Sequence, residues 1–191
     1  MNYLKDKIDM HKKMVDSLDL KSIEDVAEVI TKCYQNDGKL LIFGNGGSAA
    51  DANHFAAEFE GQLSSIDKGR KALSALTPSN MSALTAISND FNYDMCFVRF
   101  VQANAKKGDV IIGISTSGNS MNVINAMEEA KKIGATTIGF TGESGGKIKE
   151  IADFLLNIPA SNVSIIQEGH IIAYHRVCAL VIKNLFGYDA M

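Results

Sequence analysis

Short apolar runs alternate with helix-like segments along most of the chain, and this alternation limits the fold more than any other feature. The three clearest runs span residues 39–43, 109–114 and 136–140. Each run ends in a turn rich in glycine, serine or threonine. A helical pattern follows each turn, at 49–59, 120–133 and 146–152. Buried strands that alternate with helices form a parallel sheet covered on both faces, so the sequence predicts an α/β fold.

Both ends of the chain show helical patterns. Near the N-terminus, apolar residues recur on one helix face, with Ser22 and Asp25 as a predicted capping box and Gly38 as the predicted stop. A mostly apolar segment at 163–186 predicts a long, largely buried helix. A further strand, a possible short strand and a loop are predicted at 154–158, 73–76 and 62–72.

Length and composition fit one globular domain. Hydrophobic residues make up 46% of the 191 residues and the net charge is −3, which excludes disorder. With 19 Lys and Arg against 22 Asp and Glu, nucleic-acid binding through bulk charge is not expected. No apolar run approaches the roughly 20 residues of a membrane span, and we find no secretory signal. Three scattered cysteines without a CxxC pair indicate reduced thiols in a cytoplasmic protein.

A glycine-rich turn follows the first predicted strand. It reads Gly44-Asn45-Gly46-Gly47-Ser48 and leads into a predicted helix. Glycines let the backbone approach a ligand closely, and the N–H groups of the helix point to the same place. The spacing matches neither the GxGxxG fingerprint nor the P-loop, so no nucleotide cofactor is expected.

A second turn carries four hydroxyls in six residues between a predicted strand and a predicted helix. It reads Ser115-Thr116-Ser117-Gly118-Asn119-Ser120. Hydroxyls and N–H groups at a helix N-terminus form a phosphate site that needs no Lys or Arg. An ordinary turn with one N-cap residue is the alternative. The glycine-rich turn at the neighbouring strand end favours the phosphate site.

Two predicted helices carry side chains suited to proton transfer or metal binding. His54 and Glu58 are four residues apart and share one helix face. Gln167 and His175 are eight apart and can converge on one site. Their nitrogen and oxygen donors suit zinc, and Glu and His also suit acid–base catalysis. For each residue the alternative is a solvated helix face or a core position, and we give those structural roles to Glu168 and His170.

Several segments together resemble the phosphoheptose isomerases, a family of the sugar isomerase (SIS) superfamily. The segments are GNGGSAADA (44–52), HFAAE (54–58), AISND (86–90), GDV (108–110), ISTSGNS (114–120) and IQEGH (166–170) with His175. The likeness extends from the N-terminal helix to about Phe186. The Ser/Thr turn alone marks only the wider superfamily, whereas the combination is specific to this family.

This resemblance implies an enzyme that converts D-sedoheptulose 7-phosphate to D-glycero-D-manno-heptose 7-phosphate, for lipopolysaccharide or capsule synthesis. The implied fold is a three-layer α/β/α sandwich with a parallel sheet, similar to flavodoxin-like and Rossmann-like folds. One SIS domain would span 1–191, with a helical arm at 1–37 and an α/β core at 38–191. A cytoplasmic homotetramer with sites between subunits is also implied, with a sugar phosphate as its partner and neither nucleic acid nor membrane.

The resemblance also implies roles for individual residues. Glu58 and His175 would be the acid–base pair of an aldose–ketose isomerisation. One zinc ion per subunit is held in some members at the positions of His54, Glu58, Gln167 and His175. The phosphate would contact Ser115, Thr116, Ser117 and Ser120. The sugar would contact Asn45, Gly46, Gly47, Ser48, Glu58, Asn89, Asp90 and Gln167. Because a ligated side chain is a poor base, we give Glu58 and His175 the catalytic role first and leave the role of zinc open.

Two departures from the family pattern leave the exact sugar open. Gln62 and Asn80 stand where many members have arginine and aspartate. A non-catalytic SIS module that associates with the replication initiator is the main alternative, but that relative lacks the counterparts of Glu58 and His175. A sugar-phosphate sensor would need a DNA-binding segment, which we do not find in these 191 residues.

Overall fold

Five strands form one parallel sheet in the computed structural model, which describes residues 3–189. In chain order they are β1 (Leu40–Gly44), β2 (Ala75–Leu76), β3 (Val110–Ile114), β4 (Thr136–Gly142) and β5 (Phe154–Ile158). The spatial order is β2-β1-β3-β4-β5. Every residue of β1 and β3 is buried, as continuous apolar runs at the centre of a sheet require. All the predicted strands are confirmed.

Helices cover both faces of this sheet. They are α1 (Tyr3–Asp16), α2 (Leu20–Gln35), α3 (Gly47–Glu60), α4 (Met81–Asp90), α5 (Cys96–Asn104), α6 (Met121–Ile133), α7 (Ile148–Ile151) and α8 (Val163–Phe186). One apolar cluster packs α2, α3 and α8 against one face, and a second packs α5 and α6 against the other. The predicted three-layer α/β/α sandwich with extra N-terminal helices is therefore confirmed.

Some local predictions are wrong. The side chain of Asp19, not Ser22, caps α2 by accepting hydrogen bonds from the N–H groups of Lys21 and Ser22. The helix ends at Gln35, before the predicted stop at Gly38. The segment at 62–72 is more than a loop, because a short 3₁₀ helix forms there at Ser65–Asp67.

Two helices, α4 and α5, were not predicted at all. No residue of α4 is fully buried in this chain, and only Leu84 and Ile87 pack partly buried against the second apolar cluster, so its helical pattern is weak. α5 buries Cys96, Phe97, Val98 and Val101. At nine residues, it is too short for a clear helical pattern. The predicted helix at 146–152 is reduced to the single turn α7.

The sheet topology sets the position of the glycine-rich turn and of the Ser/Thr turn. β1 and β3 are neighbours and run in the same direction, so the turns that follow them lie at the same edge of the sheet. α3 begins directly after β1 and packs against α8. Within residues 3–189, no helix has both the length and the apolar character needed to cross a membrane.

Candidate active site

α3 and α8 bring three of the predicted residues together. Glu58 Oε1 lies 3.0 Å from His54 Nε2 and 3.9 Å from His175 Nε2. The two imidazole rings meet edge to face with their centroids 5.0 Å apart. Each residue offers a ligand atom within 4.8 Å of the others, so the group could hold a metal ion. The side chain of Glu58 is 14% exposed, against 49% for His54 and 30% for His175.

Burial controls the electrostatics of His175. Loss of solvent lowers the pKa of its imidazole, the negative charge of Glu58 opposes that effect, and His54 adds to it. The net shift is downward, so the ring is neutral at pH 7. A neutral imidazole has one nitrogen free to accept a proton or to bind a metal ion.

The glycine-rich turn is held by a network of side chains that the sequence did not reveal. Asn45 Oδ1 accepts hydrogen bonds from the Tyr93 hydroxyl at 2.7 Å and from Asn122 Nδ2 at 2.8 Å. Asn45 Nδ2 donates to Asn122 Oδ1 at 3.0 Å. Asn122 is buried in the first turn of α6, so this network ties the turn after β1 to the helix after β3.

The first turn of α3 is open for a ligand. Gly46, at the N-cap, has φ +56° and provides no side chain to cap the helix. The N–H groups of Ser48 and Ala49 donate to the carbonyl oxygens of Asn45 and Gly46 at 3.0 and 3.1 Å, so no side chain is needed to cap this turn. A small cavity of about 120 Å³ borders Asn45, Gly46 and Asn53. Ser48, the next hydroxyl, is buried in the same turn.

Gln167 reaches this turn rather than the middle of α3. Its side-chain amide lies against Gly47, at a place where a Cβ would overlap it. His54 is seven residues further along α3, about 10 Å at 1.5 Å per residue. The structure therefore joins Gln167 to the glycine-rich turn, and joins His54, Glu58 and His175 to one another.

The Ser/Thr turn lies between β3 and α6, as predicted. Ser115 Oγ and Ser120 Oγ are 2.9 Å apart, and Ser117 Oγ accepts a hydrogen bond from Asn119 N at 3.2 Å. Ser120 is the N-cap of α6 but makes no side-chain capping bond, which leaves the helix N-terminus open to an anion. A cavity of about 270 Å³ borders Thr116 and Ser117.

Asn89 and Asp90 lie at the exposed end of α4. Asn89 Nδ2 donates to Asp90 Oδ1 at 2.9 Å. This position agrees with a helix-ending turn. The contact with the glycine-rich turn comes instead from Tyr93, three residues further on, which bonds Asn45.

Comparisons with known proteins show the family of this chain. A family model described as "SIS domain" matches residues 2–142. A Clostridium acetobutylicum protein named phosphoheptose isomerase is 45% identical over 186 residues, which is 96% of this chain and 93% of that protein. The structure of phosphoheptose isomerase GmhA from Neisseria gonorrhoeae is 40% identical with a TM-score of 0.84, and the match covers 94% of both chains. The chain belongs to the phosphoheptose isomerase family.

A Thermoplasma volcanium protein named "Probable phosphoheptose isomerase" is also similar. It is 49% identical over 179 residues, which is 93% of this chain and 90% of that protein. Similarity of this extent includes both turns and both helices of the cluster.

The two departures from the family pattern have different positions. Asn80 is the N-cap of α4, where its Oδ1 accepts a hydrogen bond from Ala83 N at 3.1 Å. An amide and a carboxylate both cap well, so this exchange preserves the helix. Gln62 is exposed just after α3.

The structural roles predicted for two α8 residues are confirmed. His170 is fully buried, and its Nε2 donates to the carbonyl oxygen of Thr141 at 3.2 Å. Burial lowers the pKa of its imidazole to about 4, so the ring is neutral. Glu168 lies on the outer face of α8, where its carboxylate contacts the imidazole of His11 of α1.

Proposed function

We propose that this protein converts D-sedoheptulose 7-phosphate to D-glycero-D-manno-heptose 7-phosphate. The observation that carries the proposal is the pairing of Glu58 with His175 across α3 and α8 at 3.9 Å. Aldose–ketose isomerisation needs one group that removes a proton beside a carbonyl and another that protonates the oxygen. A carboxylate and a neutral imidazole can do both.

The proposed reaction passes through an enediol. The proton on C1 of the open-chain ketose leaves while the oxygen on C2 gains one. C2 then takes a proton while the hydroxyl on C1 loses one, and the aldose results. Glu58 and His175 exchange these protons with the sugar, because a carboxylate and a neutral imidazole can each accept a proton and return it. The partly buried position of Glu58 limits competition from water.

The phosphate group of the substrate is proposed to bind the Ser/Thr turn. Ser120 is the N-cap of α6, its Oγ lies 2.9 Å from Ser115 Oγ, and Thr116 and Ser117 belong to the same turn. An anchored phosphate fixes the distance of the reacting carbons from the acid–base pair. Asn45, Gly46, Gly47, Ser48, Gln167, Asn89 and Asp90 are proposed to contact the rest of the sugar.

We also propose that the cluster takes one zinc ion per chain. His54, Glu58 and His175 provide two nitrogen donors and one oxygen donor within 4.8 Å of one another, a set that suits zinc. Gln167 is the proposed fourth ligand, and its amide, which lies against Gly47 in this structure, would have to turn toward the cluster to bind the ion. A bound zinc ion supplies a Lewis acid that polarises a carbonyl oxygen. Glu58 cannot bind the ion and act as a free base at the same time, so the two roles belong to different states of the site.

Exposed apolar residues support the proposed assembly. Tyr3, Leu4 and Ile8 on α1 are more than half exposed, as are Met81 at the start of α4 and Phe91 at its end. Such surfaces are typical of subunit contacts. We propose a cytoplasmic homotetramer of one SIS domain per chain, with a helical arm at 1–37, a core at 38–191 and sites between subunits, acting in heptose synthesis for lipopolysaccharide or capsule.

A panel of ketose phosphates followed by NMR in deuterated water tests the activity. We expect conversion of sedoheptulose 7-phosphate, with deuterium entering at C2 of the product from solvent. If only a different sugar phosphate is converted, the proposed substrate is wrong and the proposed type of reaction stands. Inactivity with every sugar would overturn the proposal and favour the non-catalytic SIS module.

A further inference from the structure

A buried tyrosine contacts the most exposed member of the cluster. The hydroxyl of Tyr174 lies 2.7 Å from His54 Nδ1, within hydrogen-bond distance. Tyr174 itself is fully buried, whereas the His54 side chain is 49% exposed. The buried Tyr174 therefore contacts the half-exposed imidazole of His54, which burial does not hold in one orientation.

Packing fixes the position of this hydroxyl. The Tyr174 ring stacks on Phe55 of α3, with centroids 5.0 Å apart and an interplanar angle of 17°. It meets the His54 ring edge to face at 5.5 Å, and it is tilted by 50° against the His175 ring at 4.9 Å. Because its ring is held by α3 and α8 together, the hydroxyl keeps one direction, toward His54 Nδ1.

We propose that Tyr174 is a positioning residue whose hydroxyl holds the His54 ring with Nε2 directed at Glu58. This inference rests on the proton-transfer and zinc roles proposed above for the cluster. The opposite ring nitrogen, Nε2, lies 3.0 Å from Glu58 Oε1, so one ring spans the gap between the tyrosine and the carboxylate. Rotation of the ring would break both contacts.

A hydroxyl suits this position because it both donates and accepts hydrogen bonds. When His54 carries its proton on Nε2, that N–H donates to Glu58 and the Tyr174 hydroxyl donates to Nδ1. When Nε2 binds a metal ion, the proton is on Nδ1 and donates to the Tyr174 oxygen. Groups that bond the second nitrogen of a metal-binding histidine fix its tautomer and orientation.

Tyr174→Phe removes the hydroxyl and preserves the ring stack. Tyr34→Phe is the matched control, since the Tyr34 hydroxyl also bonds one acceptor, the carbonyl oxygen of Ser74 at 3.2 Å, outside the cluster. We expect Tyr174→Phe to weaken zinc binding by about 10- to 100-fold in competition with a chromophoric chelator. Tyr34→Phe should bind zinc within about twofold of the unmodified protein.

Nitrogen-15 NMR of the histidines in metal-free protein gives the second readout. We expect Tyr174→Phe to shift the Nδ1 and Nε2 signals of His54 toward those of a mixture of tautomers, and Tyr34→Phe to leave them unchanged. In a His54→Gln background, Tyr174→Phe should have no further effect on zinc affinity. A purely structural role for Tyr174 would lower affinity equally in both backgrounds.

Unchanged His54 signals in Tyr174→Phe would overturn the inference, as would equal zinc affinities for Tyr174→Phe and Tyr34→Phe. Failure of the proposed function gives a different result. A protein that isomerises no sugar can still show the His54 shifts, and a protein that binds no zinc still reports its tautomers in the metal-free spectrum.

Discussion

Arg70 holds the backbone of Glu58 in place. Its Nη2 donates a hydrogen bond to the Glu58 carbonyl oxygen at 2.6 Å, and its Nη1 donates to the next carbonyl oxygen, that of Phe59, at 2.8 Å. Both oxygens belong to the last turn of α3, where carbonyl groups lack partners within the helix. Arg70 Nε also donates to the buried carboxylate of Asp67 at 2.8 Å. The guanidinium thus links the end of α3 to a buried anion.

Arg70→Met should therefore destabilise the protein strongly. Both side chains of the ion pair are almost fully buried, and removal of one partner leaves a buried charge, which costs about 3–5 kcal/mol. We expect a loss of that size in the free energy of unfolding measured with urea. Lys68→Met, at an exposed neighbouring position, is the control and should change it by less than about 0.5 kcal/mol. Equal effects of the two substitutions would contradict this reading of Arg70.

Glu58→Gln should abolish isomerisation without loss of the fold. The amide preserves the shape of the side chain but cannot take up a proton, and loss of a general acid–base group costs about 10²–10⁴ in rate. Glu60→Gln changes an exposed residue two positions further on the same helix and serves as the control. The measurement is kcat with sedoheptulose 7-phosphate. Wild-type turnover by Glu58→Gln would remove Glu58 from the mechanism.

The sheet and the long helix are predictable because their apolar residues are buried in the core of this chain. β1 and β3 are buried throughout and read as continuous apolar runs, and α8 occupies the predicted residues 163–186. α4 escapes prediction because none of its residues is buried in the chain. The start of α2 was misplaced because Asp19 and Ser22 are both good caps, and only the backbone geometry selects Asp19.

The candidate site is predictable in its parts but not in its assembly. Helical spacing places His54 beside Glu58, yet no spacing shows that α3 meets α8 and brings His175 to them. Tyr93 and Asn122 were missed because their contact with Asn45 joins segments far apart in sequence. Tyr174 carried one signal, a polar hydroxyl within an apolar helix next to His175.

Zinc binding should depend on the cluster and on no other histidine. Metal analysis of protein purified without chelator should find close to one zinc ion per chain. His175→Gln should reduce this strongly, because it removes one of the donors. His11→Gln, on α1, should retain the metal. A wild-type content near zero would refute the zinc proposal and leave the acid–base proposal standing.

Two buried groups should give opposite pH dependences to stability. Burial raises the pKa of Asp51 from 3.8 to about 6, so its stabilising contribution is present below pH 3.8 and is lost as the pH rises through 6. Burial lowers the pKa of His170 from 6.5 to about 4, so its contribution is present above pH 6.5 and is lost as the pH falls through 4. At 1.36 kcal/mol per pKa unit, each shift changes the free energy of unfolding by about 3 kcal/mol.

Asp51→Asn and His170→Gln separate these effects. Urea unfolding of metal-free protein should show that the stability of Asp51→Asn relative to wild type rises between pH 4 and pH 7. The relative stability of His170→Gln should fall over the same range, because wild type regains the His170 contribution there. Asp16→Asn, an exposed control, should give a flat difference. Parallel slopes for the two buried variants would show that the pKa shifts are misassigned.

Gly118 joins the Ser/Thr turn to the turn after β4, and its replacement should impair both stability and substrate binding. Its φ is +66°, and an added Cβ would overlap the carbonyl group of Gly145. Gly187, at the end of α8, has a similar φ of +75° but open space around its Cα. Gly187→Ala should therefore show only the backbone strain, roughly 1–2 kcal/mol.

Gly118→Ala should lose more than Gly187→Ala in the free energy of unfolding, because it adds a clash between two backbones to the same strain. It should also raise KM for the sugar phosphate, since the carbonyl oxygen of Gly118 accepts a hydrogen bond from Ile148 N at 3.0 Å and the turn cannot shift without losing it. Displacement of the turn would move Ser117 and Ser120 away from the phosphate site proposed above. Equal stability losses with an unchanged KM would show that this turn does not bind the phosphate.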